Sequence, residues 1–103
     1  MMKLFISQPM KGKTKIEIEE VRAQAFKEVK EMFPREKMVL IDSIIKQDPP
    51  NDVNRDIWYL GQSILLLAKA DVAYFAKGWR DAKGCIEENL CASSYNLITI
   101  ETN

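Results

Sequence analysis

Glu88 is the residue whose placement promises chemistry. Gly84, Cys85, Glu88, Cys91, Ala92 and Tyr95 recur at helical spacing and share one face, and every member except Glu88 is small or largely apolar. A carboxylate on a side that packs inward is costly unless it is paired or used. Pairing would fall to Arg80 or Lys83. Use would mean a carboxylate held in a cleft one turn into a helix, where the dipole favours its charged form. Gly84, one turn earlier, leaves room above it for a ligand. An ionised carboxylate pressed against a sugar's anomeric carbon can serve as nucleophile in glycosyl transfer.

The rest of the inventory narrows the chemistry. The chain contains no histidine, which removes Ser-His and Cys-His nucleophile pairs and most zinc sites. Cys85 and Cys91 form no metal pattern, sit too far apart on one helix to bridge, and read as small core residues. Lys11-Gly12-Lys13-Thr14 ends like a phosphate-binding loop, but that motif needs a glycine where Ser7 stands. The turn is either a solvated connection or a ligand contact through Ser7, Gln8 and amides near Gly12. No Gly-x-Gly-x-x-Gly occurs, which disfavours a nicotinamide dehydrogenase. No metal or organic cofactor is expected.

These residues need elements to position them. A strand over about Lys3 to Ser7 ends in the turn Gln8 to Lys13. Thr14 and Glu17 have capping-box spacing for a helix over roughly Lys15 to Phe33. That helix carries Ile18, Val21, Ala25, Val29 and Met32 as its apolar stripe, flanked by Phe26 and Phe33. Lys37 to Ile41 is a second strand, followed by an irregular connection from Asp42 to Arg55 through Pro49 and Pro50. Asp56 caps a second helix ending near Ala70, with Ile57, Leu60, Ile64, Leu67 and Ala68 facing the sheet. Asp71 to Ala76 is a third strand, Ala82 to about Tyr95 a third helix, and Leu97 to Glu101 the last strand. Alternating strands and helices imply one α/β domain over residues 1–103, a three-layer sandwich with helices on both faces of a four-stranded parallel sheet. Right-handed crossovers give the strand order 2-1-3-4. Ligands then bind beyond the carboxyl ends of the strands, among the Ser7–Lys13 turn, the Asp42–Arg55 loop and the Ala76–Lys83 loop.

Composition sets the outer limits. The 103 residues hold 15 basic and 15 acidic side chains, so no global field draws a nucleic-acid polymer or an anionic membrane. Free thiols and the absence of a leader-like N-terminus suggest a cytoplasmic setting. Trp58, Leu65 and Leu66 lie off the sheet-facing side of the second helix. That surplus apolar surface predicts a homodimer or larger homo-oligomer.

Three segments together resemble the nucleoside 2-deoxyribosyltransferase-like superfamily, especially its small phage and bacterial members. They are Lys3-Leu4-Phe5-Ile6-Ser7-Gln8-Pro9-Met10-x-Gly12, then Leu60-Gly61-x-Ser63 leading into Ala70-Asp71-Val72-Ala73-Tyr74-Phe75, then Gly78-Trp79-x-x-Ala82-Lys83-Gly84-Cys85-x-x-Glu88-x-x-x-Ala92. The resemblance implies a flavodoxin-like sheet and a pocket for a nucleoside or nucleotide. It implies that Glu88 attacks the anomeric carbon of a 2-deoxyribosyl group and expels the base, to a second base or to water. Ser7, Gln8, Pro9, Met10 and Gly12 would line the sugar or phosphate pocket, and Gly78 and Trp79 the base. Asp42 and Gly84 complete the expected binding set, and Lys83 or Lys77 would meet a phosphate. The family's Asp-Gly pair after the third strand is Lys77-Gly78 here, and its frequent histidine after the glutamate is Asn89. Asp42, Asp56, Asp71 and Asp81 are the acids open to the missing role, which a neighbouring subunit could also supply. The alternative is a non-catalytic protein that sequesters a nucleotide or nucleotide-derived signal in the same pocket.

Overall fold

Side-chain alternation along two short apolar runs builds the core. In β1 (Met2–Ser7) and β3 (Val72–Phe75) successive residues point to opposite faces of the sheet. Leu4, Ile6, Val72, Tyr74 and the following Ala76 pack on one side with Ala25, Val29 and Met38. Phe5, Ala73 and Phe75 pack on the other with Leu67, Ala70, Trp79, Cys85 and Ala92. Runs buried on both faces belong at the centre of a parallel sheet. The computed structural model, which describes residues 1–103, places them there.

The remaining elements are α1 (Lys15–Met32), β2 (Met38–Leu40), α2 (Arg55–Leu67), a 3₁₀ turn at Trp79–Asp81, α3 (Lys83–Ser94) and β4 (Ile98–Glu101). All four strands are parallel, in the order β2-β1-β3-β4. The expected α/β fold class and strand order are therefore present. One layer is α1 and the other is α2 with α3, as the two core clusters show. No helix is long and apolar enough to cross a membrane.

Local chemistry explains most boundaries. Thr14 accepts from the Glu17 amide at 3.1 Å, and Glu17 accepts from the Thr14 amide at 2.9 Å, so the capping box starts α1 as expected. The start of α2 differs from expectation. Asn54, not Asp56, is the cap, accepting from the Ile57 amide at 3.0 Å. That helix ends at Leu67, short of Ala70.

Helix phase differs too. In α1 the inward residues are Arg22, Ala25 and Val29, while Val21 and Met32 are exposed. The stripe is rotated so that an arginine takes an inward position. In α2 only Leu67 is buried, and both Ile57 and Ala68 face solvent. In α3 Cys85, Glu88 and Ala92 are buried, whereas Tyr95, one turn on, is 81% exposed. Phe75 is fully buried at the centre of the cluster beneath α2 and α3. Phe75→Ala is expected to cost about 3–5 kcal/mol, the usual range for a truncated core phenylalanine, measured by urea denaturation.

Candidate functional site

The site begins with the last residue of β1. Ser7 lies in register with Phe75 of the neighbouring strand and shares the side of the sheet that Phe5 faces. Its hydroxyl therefore points beneath α3. There it donates a 2.6 Å hydrogen bond to Oε1 of Glu88, a contact between residues 81 positions apart. Glu88 is 8% exposed. The inner face of α3 thus delivers a carboxylate to the carboxyl end of the sheet.

Burial raises the Glu88 pKa above its ordinary value, and the hydroxyls of Ser7 and then Ser63 draw it back down. Glu87, the preceding residue, adds like-charge repulsion that raises it slightly further. Cys85, one turn before Glu88, is buried as well. Burial pushes its thiol up, the Ser7 hydroxyl opposes this, and the Glu88 charge adds to the rise. Cys85 is thus held as a neutral thiol beside the carboxylate rather than as a nucleophile.

A cleft of about 260 Å³ opens over this pair, lined by Ser7, Gln8, Pro9, Met10, Ser43 and Ser63, with Gly84 and Glu88 on the α3 side. A second groove of about 400 Å³ shares Ser63, Gly84 and Glu88 with it and continues between α2 and α3 past Asp56, Tyr59 and Lys83. Small-molecule sites run to roughly 300–1,000 Å³, so the two together offer the space a nucleoside-sized ligand needs. At Gly84 an added Cβ would meet nothing within 4 Å. Its hydrogen borders open space, as expected of a glycine that leaves the cleft clear.

Of the expected binding residues, Ser7, Gln8, Pro9, Met10 and Gly84 meet Glu88 in the cleft, and Lys83 lines the adjoining groove. Five others, counting Lys77, fall outside the cleft. Gly12 is an exposed turn glycine at φ +78°. Gly78, at φ +89° with room for a Cβ only at contact distance from Pro9, lines a groove that shares Gln8 and Pro9 with the cleft and runs away from Glu88 past Lys13, Glu17 and Tyr74. Lys77 lies in that groove too. Trp79 is a core residue: its ring packs 5.5 Å from that of Phe75 and its Nε1 donates to the Thr102 carbonyl at 3.0 Å. Asp42 points outward, accepting from the Ile44 amide at 3.2 Å and pairing with Lys46 at 3.4 Å. Its pKa is lowered chiefly by that backbone hydrogen bond.

Alternation at the exit of β2 explains the last displacement. Where Asp42 points out, Ser43 points in, and it reaches the cleft. Ser43 belongs to a buried polar cluster. The Arg22 guanidinium donates to Ser43 Oγ at 3.0 Å, to Gln8 Oε1 at 3.5 Å and to the Ile41 carbonyl at 3.2 Å. Ser43 in turn donates to the Ile6 carbonyl at 3.3 Å, and Gln8 donates to the Ile18 carbonyl at 3.2 Å. Burial lowers the Arg22 pKa, partly offset by Asp42. Arg22 and Ser43 were not among the expected site residues. The signal for Arg22 was its spacing from Ile18, Ala25 and Val29, which puts all four on one helical face.

Asn89 follows Glu88 but turns away from it, donating to Glu101 at 2.8 Å and so tying α3 to the end of β4. No family model, curated protein or solved structure matches the chain. Fold and site together define an α/β protein with a buried, serine-held carboxylate in a cleft at the carboxyl edge of a parallel sheet.

A raised native pKa has a thermodynamic consequence. The contribution Glu88 makes to stability is fully present below its unfolded pKa and is lost as pH rises through its native pKa. A glutamine in its place would keep an acceptor for Ser7 without the buried charge. Glu88→Gln is therefore expected to raise stability at neutral pH by about 1 kcal/mol, the usual scale of one substitution. In urea melts across a pH series the advantage should vanish as pH falls below the ordinary carboxyl value of 4.5.

Proposed function

We propose that this protein is nucleoside 2-deoxyribosyltransferase-like and cleaves or transfers the N-glycosidic bond of a 2-deoxynucleoside or deoxynucleotide. The observation that carries the reading is the Ser7–Glu88 pair: a carboxylate 8% exposed, hydrogen-bonded at 2.6 Å, and opening on a cleft beyond the strand ends. The segments that resemble the superfamily supply Ser7, Gln8, Pro9 and Met10 on one wall and Gly84 and Glu88 on the other, which supports the same assignment.

In this reading the free oxygen of Glu88 attacks the anomeric carbon from the face opposite the base. The bond to the base breaks, and a glycosyl ester forms on Glu88. Ser7 fixes the carboxylate's rotamer and favours its ionised form. Gln8 and Ser43, held by Arg22, offer hydrogen-bonding groups to the sugar hydroxyls. A second base or water then takes the sugar and restores the carboxylate. The reaction calls on no metal or organic cofactor.

Free-base release from deoxynucleosides and deoxynucleotides, followed by chromatography, tests this. Glu88→Gln should reduce the rate at least about 10³-fold, because a neutral amide cannot form the ester. Release that survives the substitution would refute the role of Glu88. Ligand-induced stabilisation without turnover would favour the sequestering alternative. Ser7→Ala removes a donor that favours the ionised carboxylate, so the acid limb of the pH–rate profile should move to higher pH. Hydrogen bonds to charged groups contribute about 1.5–3 kcal/mol, which corresponds to a displacement of about one to two pH units.

The surface of α2 supports self-association. Ile57 and Leu65 are 67% and 63% exposed, and α2 buries only Leu67 within its own chain. A second copy covering this face would remove the apolar area from water. Light scattering at high micromolar concentration should return at least a dimer mass, and a monomer mass would refute the assembly.

A further inference from the structure

The charges around Glu88 bear on which nucleosides the cleft accepts, an inference that rests on the glycosyl-transfer reading. Among the side chains lining the cleft, Glu88 is the sole formal charge; its other polar groups are Ser7, Gln8, Ser43, Ser63 and the Cys85 thiol. In the adjoining groove Asp56, Glu87 and Glu88 face one cation, Lys83. Asp56 lies in the first turn of α2 and lines the groove rather than the cleft over Glu88. Arg22 donates to Gln8, Ser43 and the Ile41 carbonyl from behind the cleft wall and is not itself among the residues that line the cleft. Along the ligand space Asp56, Glu87 and Glu88 outnumber Lys83, and the cleft itself holds no second carboxyl beside Glu88 to protonate the departing base.

We propose that the preferred substrate is an unphosphorylated nucleoside whose base is a cation, such as an N-alkylated purinium or a pyridinium, that leaves as a neutral molecule. The electron balance closes without a general acid. A Glu88 oxygen forms a bond to the anomeric carbon. The electron pair of the breaking carbon–nitrogen bond returns to the ring nitrogen and cancels the positive charge of the base. Water oxygen next bonds to the anomeric carbon, the ester pair returns to the Glu88 carboxylate, and the proton from water passes to solvent. Each turnover thus consumes one cationic nucleoside and one water and yields free sugar, neutral base and one proton. A neutral base, by contrast, departs as an anion unless something protonates it. The same field that attracts the cation repels the negative charge of a 5′-phosphate.

The test compares 2′-deoxyguanosine, its N7-methylated cation and the 5′-monophosphate of that cation, at mildly acidic pH where the methylated base is fully charged. Base release is measured with the wild-type protein and with Glu88→Gln, and each rate is divided by the rate in buffer alone. This division removes the greater intrinsic lability of the cation. The enhancement should be at least about tenfold larger for the methylated nucleoside than for its parent, the size of a 1.4 kcal/mol difference in barrier. The 5′-phosphate should raise KM by roughly tenfold, and a pH-stat should record one proton per base released. An equal or larger enhancement for the neutral parent would overturn the inference, since it requires a proton donor at the leaving group. A 5′-phosphate that lowers KM would overturn its charge argument. Wild-type protein that releases base from none of the three, or no faster than Glu88→Gln does, would instead sink the glycosyl-transfer reading itself.

Discussion

The hydrogen bond from Ser7 to Glu88 joins the first strand to the last helix, and the candidate site depends on it. A buried carboxylate needs strong hydrogen-bond donors to offset lost hydration. Ser7 supplies one at 2.6 Å, and the Ser63 hydroxyl lowers the carboxylate's pKa in the same direction. Ser7 could not reach Glu88 without the parallel sheet. Phe5 and Phe75 hold β1 and β3 beneath α2 and α3, and the register pairing Ser7 with Phe75 brings the serine to the strand end.

The two consecutive residues at that strand end, Ser7 and Gln8, serve different polar clusters. Ser7 answers to Glu88 on the α3 side, while Gln8 is held by Arg22 and the Ile18 carbonyl on the α1 side. The cleft lies between, with Ser43 as its link to the second cluster. Arg22 joins three separated pieces of chain: α1, the exit of β1 and the exit of β2. Its cost is that of a buried guanidinium. Charge-assisted hydrogen bonds offset that cost, and the lowered Arg22 pKa registers what remains uncompensated. The cleft wall is built from satisfied polar groups: no buried side-chain nitrogen or oxygen lacks a hydrogen-bond partner.

Much of this arrangement is legible in the sequence, and the failures have physical causes. Strand order follows from the alternation of elements and the handedness of crossovers. Glu88 stands out because it breaks an apolar face, and that logic works for any single polar intrusion. Applied to α1 it points to Arg22, but only if the helical phase runs through Ala25 and Val29 alone. Including Val21 and Met32 widens the stripe and hides the arginine. Trp79 misleads for a different reason. The resemblance implies a tryptophan beside the base, but the 3₁₀ turn folds the Trp79 ring back onto Phe75. Asp42 and Ser43 are adjacent polar residues at a strand exit, and composition cannot say which of the two points inward.

The thermodynamics of Glu88 connect the fold to the proposed chemistry. A carboxylate whose native pKa is raised is held in an environment that stabilises its charge less well than water does. That cost is borne by the free protein. It falls when positive charge appears next to the carboxylate, because the attraction between opposite charges is strongest where water is excluded. Glycosyl transfer generates such charge at the anomeric carbon as the bond to the base breaks. In the proposed reaction this interaction would be stronger in the transition state than in the substrate complex, which is the condition for accelerating a chemical step rather than merely tightening binding. A fully solvated glutamate would gain much less. The small-residue face of α3 keeps Glu88 largely out of water and the hydroxyl of Ser7 anchors it, the two conditions that the proposed chemistry requires.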